Sequence, residues 1–323
     1  MKMIQSVLLG QIELSDETFS VNFMPDLEGL RSSIEQIGLV QPVLLRKRGD
    51  RYQIICGFRR TWITLALGME TIEAGVYDEG DGDDLRLFSV SLHENLTGRG
   101  FNTVETALAL DKLVHRFGVD RSAVIRNFLP LFSLETNEKI LNTYLSLARM
   151  EEEVKKYVVK ERVSRSNIRR LSSLSSEDRR AVVSLISPLK LGENSLREIL
   201  SLVEEISRRD RQRIGDLVDR SDIQSILSHR ELTPSQKTDR VKKVLLDIRY
   251  PQMRRLEGAF EVKRKALNLP PGLFVQHQPY FEGKGLKIEL RFETLEEYRS
   301  LITSLSALAE KEEFQEMLEE KGY

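Results

Sequence analysis

Residues 38–78 read GLVQPVLLRKRGDRYQIICGFRRTWITLALGMETIEAGVYD, and two kinds of periodicity meet in them. Val43 to Leu45 and Tyr52 to Cys56 are β-rich, and Arg48-Gly49-Asp50-Arg51 between them carries a Gly-Asp hairpin signal. Upstream, Leu27, Leu30, Ile34 and Ile37 recur at helical spacing, and the pattern stops at Gly38, a natural C-terminal glycine. Downstream, a second helix is predicted from about Arg59 to Gly68, with Trp62, Leu65 and Ala66 turned inward. At the junction a glycine, Gly57, ends a strand, Arg59 and Arg60 follow, and a helix begins. Backbone N–H groups, a positive helix end and two guanidinium groups thus converge, which is how a protein builds an anion site. The plain alternative is that these arginines pair with the acidic residues that follow.

Working outward, the first ~90 residues read as mixed α/β and the stretch from Val104 to about Leu232 as helical, with Thr103, Ser122, Ser164 and Ser175 as candidate caps. After Pro270-Pro271-Gly272 the pattern changes again. Leu286, Ile288, Leu290 and Phe292 alternate with charged residues as a half-buried strand; Thr294 and Glu297 form a capping box for a helix lined by Leu295, Tyr298, Leu301, Ile302, Leu305 and Leu308. One strand and one amphipathic helix cannot bury both apolar faces alone, so the C-terminus is expected to dimerise. The expected division is 1–100, 101–235 and 236–323.

A chain of 323 residues suits two or three domains; 40% hydrophobic and 31% charged residues suit a folded protein, and no apolar run reaches the ~18 residues of a spanning helix. The opening MKMIQSVLLG lacks the features of a secretory signal, and the single cysteine, Cys56, excludes an intrachain disulfide, so a cytoplasmic location is expected. Net charge is −1, but it is an average over blocks: −7 from Glu70 to Glu94, +6 from Lys155 to Arg180, +6 from Lys237 to Lys265 and −6 from Glu293 to Lys321. Such blocks are usually solvated helix faces; two basic ones together also suit a polyanion. Beyond the second helix, HENLTGRGFNTVE at 93–105 brings Glu94 and Asn95, oxygen ligands of the kind Mg²⁺ takes beside phosphate.

GLVQP at 38–42, GFRR at 57–60 and ENL at 94–96, in that order and spacing, resemble the three boxes of the ParB/sulfiredoxin-like N-terminal domain, and specifically of ParB-type chromosome and plasmid partition proteins. Asn102 and Glu105 are similar to that family's lead into a helix-turn-helix, KERVSRSNIRRLSSLSSEDR at 160–179 to the following helix pair, and the strand after Gly285 with Thr294-Leu295-Glu296-Glu297 to its dimerising C-terminus. The resemblance implies an α+β N-terminal domain, an all-α helix-turn-helix middle domain and a small α/β C-terminal dimerisation unit. It implies a homodimeric, nucleoid-associated clamp on double-stranded DNA that binds CTP and Mg²⁺, slides, and releases on hydrolysis. Gly57, Arg59 and Arg60 would then hold the triphosphate, Gly38, Gln41 and Arg46 would lie by the nucleotide, and Glu94 and Asn95 would hold the metal.

Departures from the family pattern shape further expectations. Its second box usually reads GERR, with a glutamate implicated in hydrolysis; here Phe58 stands there, and an aromatic ring cannot polarise water. Weak CTPase activity, or binding without efficient turnover, is expected. In the third box Arg99 is displaced by one position, which removes a phosphate-contacting arginine from its usual place. No basic peptide that would bind a ParA-type ATPase stands before Leu14, which argues against that partner.

In HRFGVDRSAVIRNFLPLFSLETNEKILNTYLSL, 115–147, Leu129-Pro130 replaces the turn glycine and the connection is longer. Thr136 could cap a second helix presenting Asn137, Lys139, Asn142 and Thr143 to base edges, although Glu135 and Glu138 would repel phosphates. A helical bundle that no longer reads sequence is the alternative. The basic helix with Arg165, Ser166, Asn167, Arg169 and Arg170 is the better candidate for backbone contacts. Among rival functions, a nucleotide-switched transcriptional or nucleoid regulator is the strongest. A sulfiredoxin-like enzyme is disfavoured because Phe58 fills the cysteine slot, and a nuclease because His93, His115, His229 and His277 lack metal-ligand spacing.

Overall fold

The computed structural model describes residues 4–278 and 285–319. The end of the acidic C-terminal block, beyond residue 319, lies outside the described residues. Contacts divide the chain into two units, Met1–Ser187 with Leu191–Arg197 and Pro188–Lys190 with Glu198–Tyr323. The boundaries at 100 and 235 expected above therefore do not separate these units.

The first unit is built on a five-stranded sheet of β1 (Ile4–Leu8), β2 (Ile12–Glu13), β3 (Val43–Arg48), β4 (Arg51–Cys56) and β5 (Thr71–Tyr77), in the order β1-β5-β3-β4-β2. β3 and β4 are the hairpin expected at Gly49-Asp50, and Gly49 takes φ +57° there. β5 adds parallel to β3 and β2 parallel to β4, so the sheet is mixed. Val43, Leu45, Ile54, Ile55 and Cys56 are all wholly buried, which makes this hairpin the centre of the core.

Helix α1 (Glu28–Ile37) ends at Gly38, whose φ of +73° satisfies the expected glycine terminus. Its sequence stripe is only partly right, because Ile34 is buried while Ile37 is exposed. Helix α2 (Phe58–Ala66) starts one residue earlier than expected and buries Phe58, Thr61, Ile63 and Thr64. Leu65 and Ala66 are exposed, because the face that packs inward runs through Phe58, Thr61, Ile63 and Thr64 rather than through the stripe read from Trp62. Helix α3 (Asp84–Gly98) follows the acidic 78–84 loop and is capped by Asp83.

The helical part of this unit begins with α4 (Thr103–Asp111), which runs on into a π turn at Lys112–Arg116. Asn102, not Thr103, caps α4, in a capping box with Glu105. Then come α5 (Arg121–Ala123), extended by a π turn over Val124–Phe128 and capped by Asp120 rather than Ser122, α6 (Glu138–Ala148), α7 (Glu152–Lys160), α8 (Arg165–Ser173) and α9 (Ser176–Ile186). Ser164 and Ser175 cap α8 and α9 as expected.

Helix α10 (Glu193–Asp210) spans the division between units. The second unit continues through α11 (Ile214–Val218), α12 (Ser221–Ser228), α13 (Pro234–Arg249) and α14 (Pro251–Ala266) to a two-stranded antiparallel sheet of β6 (Leu273–His277) and β7 (Leu286–Leu290). Helices α15 (Leu295–Leu308) and α16 (Glu312–Glu319) close it. The Thr294/Glu297 capping box forms as read from the sequence. β6, the partner of β7, had no clear signal, and Phe292 lies beyond the strand. Leu308, Phe260, Leu267, Val275, Phe314 and Met317 make the local core, whereas Ile288, Phe292, Leu295, Tyr298 and Ile302 stay exposed. No described helix is long and apolar enough to cross a membrane.

Candidate functional site

The anion site read at Gly57-Phe58-Arg59-Arg60 opens into a cleft of about 240 Å³ lined by the 19–22 segment, the start of α2 and the C-terminal half of α3. Gly57 is the N-cap of α2 at φ +97°. A Cβ there would stand 2.6 Å from Val43 Cγ1 and 3.3 Å from Arg60 Nε, so both conformation and space demand glycine. The tight turn starts the helix one residue after β4, and Arg59 and Arg60 take separate sets of partners along the cleft.

Arg60 donates from Nη1 to the carbonyls of Gln41 and Pro42 at 3.0 and 3.2 Å, and from Nη2 to Glu94 Oε1. Gln41 Nε2 stands 3.5 Å from the same carboxylate oxygen. Arg59 donates from Nε to Asn22 Oδ1 and from Nη2 to Glu105 Oε1, both at 2.7 Å. Burial first, then neighbouring Arg99, lower the Arg59 pKa below its ordinary range, while Glu105 acts in the opposite sense.

Arg99 corrects the expectation that displacement in the third box costs the site an arginine. Helix α3 ends at Gly98, and the N–H groups of Arg99 and Gly100 both return to the Asn95 carbonyl, with Gly100 at φ +73°. This reversal carries Arg99 back to line the cleft beside Arg59. Its Nε donates to Asn95 Oδ1 at 3.0 Å, its Nη1 to Glu105 Oε2 at 2.7 Å, and its guanidinium lies 5.1 Å from the centre of the Phe101 ring. Three arginines thus share one cleft. Sequence reasoning missed Asn22 and this role of Glu105, because they lie 37 and 46 residues from their partner Arg59.

Two of the residues expected by the nucleotide lie off the cleft lining. Gly38 is occupied in terminating α1. Arg46 is 5% exposed, donates from Nε and Nη2 to Gln53 Oε1, pairs with Asp84 at 2.7 Å and lies 5.4 Å from the centre of the Phe19 ring. It supports the wall that Phe19 presents to the cleft. Phe58 is buried with its ring edge-on to Trp62. Cys56 is wholly buried, and burial, followed by the charge of Glu94, pushes its thiol up to about 12, so it is no nucleophile at neutral pH.

Glu94 and Asn95 both line the cleft, but their oxygens already face guanidinium groups, Arg60 and Arg99. Among the described residues no group of three His, Cys, Asp or Glu could hold a metal unaided. The donor set therefore fits Mg²⁺ only jointly with phosphate oxygens, the arrangement in which that ion takes one or two protein ligands.

The helical surface departs more from expectation. Asn137 is the N-cap of α6 and spends its side-chain oxygen on the Lys139 N–H at 2.8 Å, so it is not free to read a base bidentately. Thr143 is buried and donates back to the Lys139 carbonyl at 2.8 Å. Asn142 accepts from Arg121, leaving Lys139 as the exposed cation of the four. On α8, Asn167 is wholly buried against Glu193 and cannot reach a phosphate, whereas Arg165, Ser166 and Arg169 are exposed; Arg170 donates to the Arg197 carbonyl at 3.2 Å.

Residues 4–96 match the family described as ParB N-terminal domain. A nucleoid occlusion protein of Halalkalibacterium halodurans is 30% identical over 151 residues, 47% of this chain and 50% of that protein. The chromosome-partitioning protein ParB of Myxococcus xanthus is 36% identical over 124 residues, 35% of this chain and 40% of that one. Among solved structures, C-terminally truncated ParB from Caulobacter crescentus, complexed with CTP-gamma-S, aligns at 22% identity over 54% of this chain and 94% of that chain, with a TM-score of 0.27. The chain spans about half the length of the curated relatives it matches first. Its N-terminal region is ParB-like.

Proposed function

We propose that this ParB-like chain binds a nucleoside triphosphate, CTP by family resemblance, in the cleft between α2 and α3, and that this binding controls its hold on double-stranded DNA. The observation that carries the reading is that Arg59, Arg60 and Arg99 line one cleft with the N-terminus of α2, together with Glu94 and Asn95. Three guanidinium groups against two carboxylates leave a positive site shaped for a polyphosphate. When phosphate competes for Arg60, Glu94 becomes free to hold Mg²⁺ with Asn95; the ion supplies charge neutralisation for the triphosphate. Isothermal titration of the full chain with CTP, ATP and GTP in Mg²⁺ tests this, and binding of none of them removes the reading.

Phe58 supports slow turnover: the side chain at that place is apolar, buried and edge-on to Trp62. It also favours a second reading, a nucleotide-switched transcriptional or nucleoid regulator whose clamped state is long-lived. Chromosomal occupancy that spreads for kilobases supports the partition-type clamp; a few discrete sites support the regulator.

Exposed Arg165 and Arg169 supply the proposed backbone contacts, with Lys139 at the start of α6. Dimerisation is proposed through the C-terminal unit, where Ile288, Phe292, Leu295, Tyr298 and Ile302 remain exposed after β6, β7 and α15 have packed. Sedimentation of a chain ending near Pro270 should show the dimer lost; a truncated chain that stays as dimeric as the whole one contradicts it.

A further inference from the structure

Glu105 is 1% exposed, and besides closing the capping box of α4 it gathers contacts from well beyond that helix. Each of its oxygens serves two donors from different parts of the fold. Oε1 takes Arg59 Nη2 at 2.7 Å and the Phe23 N–H at 3.3 Å; Oε2 takes Arg99 Nη1 at 2.7 Å and the Asn102 N–H at 3.1 Å. One buried carboxylate therefore joins the first turn of α2, the turn after α3, the segment that forms a cleft wall, and the N-cap of α4. Asn22 Oδ1 repeats the bridge on a smaller scale, accepting Arg59 Nε at 2.7 Å with Arg99 Nη2 at 3.5 Å.

Two like-charged guanidinium groups held side by side repel one another, and without a shared counter-ion each would turn toward solvent. Glu105 and Asn22 pin Arg59 at Nε and Nη2, which leaves the Nη1 edge unused by these two partners. Asn95, Glu105 and the Gly100 carbonyl pin Arg99 in the same way. Both long side chains are thus immobilised before any ligand arrives.

We propose that Glu105 is the positioning residue of the anion site: it aims Arg59 and Arg99 at the ligand's phosphates and ties their state to the N-terminus of α4. The proposal rests on the reading of the cleft as a triphosphate site. It makes a signed prediction. Removing a negative charge near a phosphate site strengthens anion binding by Coulomb attraction alone; removing a positioning group weakens it, because the ordering of two rotamer-rich side chains must then accompany binding. Conversion to Glu105→Gln keeps the shape and one acceptor but loses the charge that holds both arginines.

The test is calorimetric titration of the full-length wild type, Glu105→Gln and Asn22→Ala with CTP in Mg²⁺, alongside hydrogen exchange of the Phe23 and Asn102 amides with and without nucleotide. The expected result is an affinity loss of about tenfold or more for Glu105→Gln, a smaller loss in the same direction for Asn22→Ala, and slower exchange at both amides when wild type is loaded. Unchanged or tighter binding by folded Glu105→Gln overturns the proposal while leaving the nucleotide site standing. Should Glu105→Gln fail to fold, unchanged exchange at the two wild-type amides, or undiminished affinity in Asn22→Ala, overturns it equally. If wild type binds no triphosphate, the reading of the cleft fails first and the proposal with it.

Discussion

Two regions of the first unit use the same chemistry, arginine against carboxylate, to different ends. In the cleft, Arg59, Arg60 and Arg99 meet Glu94 and Glu105 where the arginine side chains keep 12 to 25% of their exposure and Glu105 only 1%. On the helical surface, Arg121 stands 3.9 Å from Glu138 and Arg165 3.6 Å from Glu135, with 41 to 76% exposure. Breaking a buried pair by removing one partner costs about 3–5 kcal/mol, whereas an exposed pair contributes about 0.2–1 kcal/mol. Burial decides whether a pair fixes geometry or merely offsets charge. The cleft is preorganised; the surface is adaptable, which suits a phosphate backbone.

The sharpest break is at Gly57. Gly57→Ala forces a side chain into a left-handed conformation and against Val43, and should cost about 3 kcal/mol or more of stability, read as a lower urea midpoint, together with loss of nucleotide binding. A Gly57→Ala chain of wild-type stability would show that the turn is not what places the two arginines. Next in size is Arg60→Ala. Loss of a charged hydrogen-bond donor of about 1.5–3 kcal/mol corresponds to about 10- to 150-fold weaker CTP binding by calorimetry, and because Arg60 is the largely buried partner of Glu94 the thermal midpoint should fall as well.

The surface side of the comparison gives smaller effects. Arg165→Ala and Arg169→Ala should each weaken DNA binding about equally across sequences and flatten the dependence of log affinity on log salt by about 1, measured by mobility shifts over a salt series. A strong sequence-selective loss at either position would assign base reading to α8. Smallest of all, Arg121→Ala should leave stability within about 0.5 kcal/mol by chemical denaturation, since its partners Glu138 and Asn142 are both exposed. A larger loss would place the surface network in the same class as the cleft.

The parts of this architecture legible in the sequence were those set by local rules. The Gly49-Asp50 hairpin, the Gly38 stop, the Ser164 and Ser175 caps and the Thr294/Glu297 capping box depend on neighbours a few residues away, and they form as read. The glycine and arginines at 57–60 were also legible, because one turn brings them together. What escaped was long range. Asn22 reaches Arg59 from the segment before α1, and Glu105 reaches it from the next helical segment; no periodicity records such contacts. Arg99 was misjudged from its one-position displacement in the third box, because the chain reverses after α3 ends at Gly98 and brings it back to the cleft. Asn137, Thr143 and Asn167 had the right chemistry for DNA but are consumed by capping or burial, the commonest alternative fate of short polar side chains near helix starts.

The most direct test of the central claim is equilibrium binding of labelled CTP to the full chain in Mg²⁺, with wild type beside Arg60→Ala. The three-arginine cleft predicts one saturable site per chain, displaced by unlabelled CTP and weakened at least tenfold in Arg60→Ala. No saturable binding, or binding that Arg60→Ala leaves untouched, would contradict it.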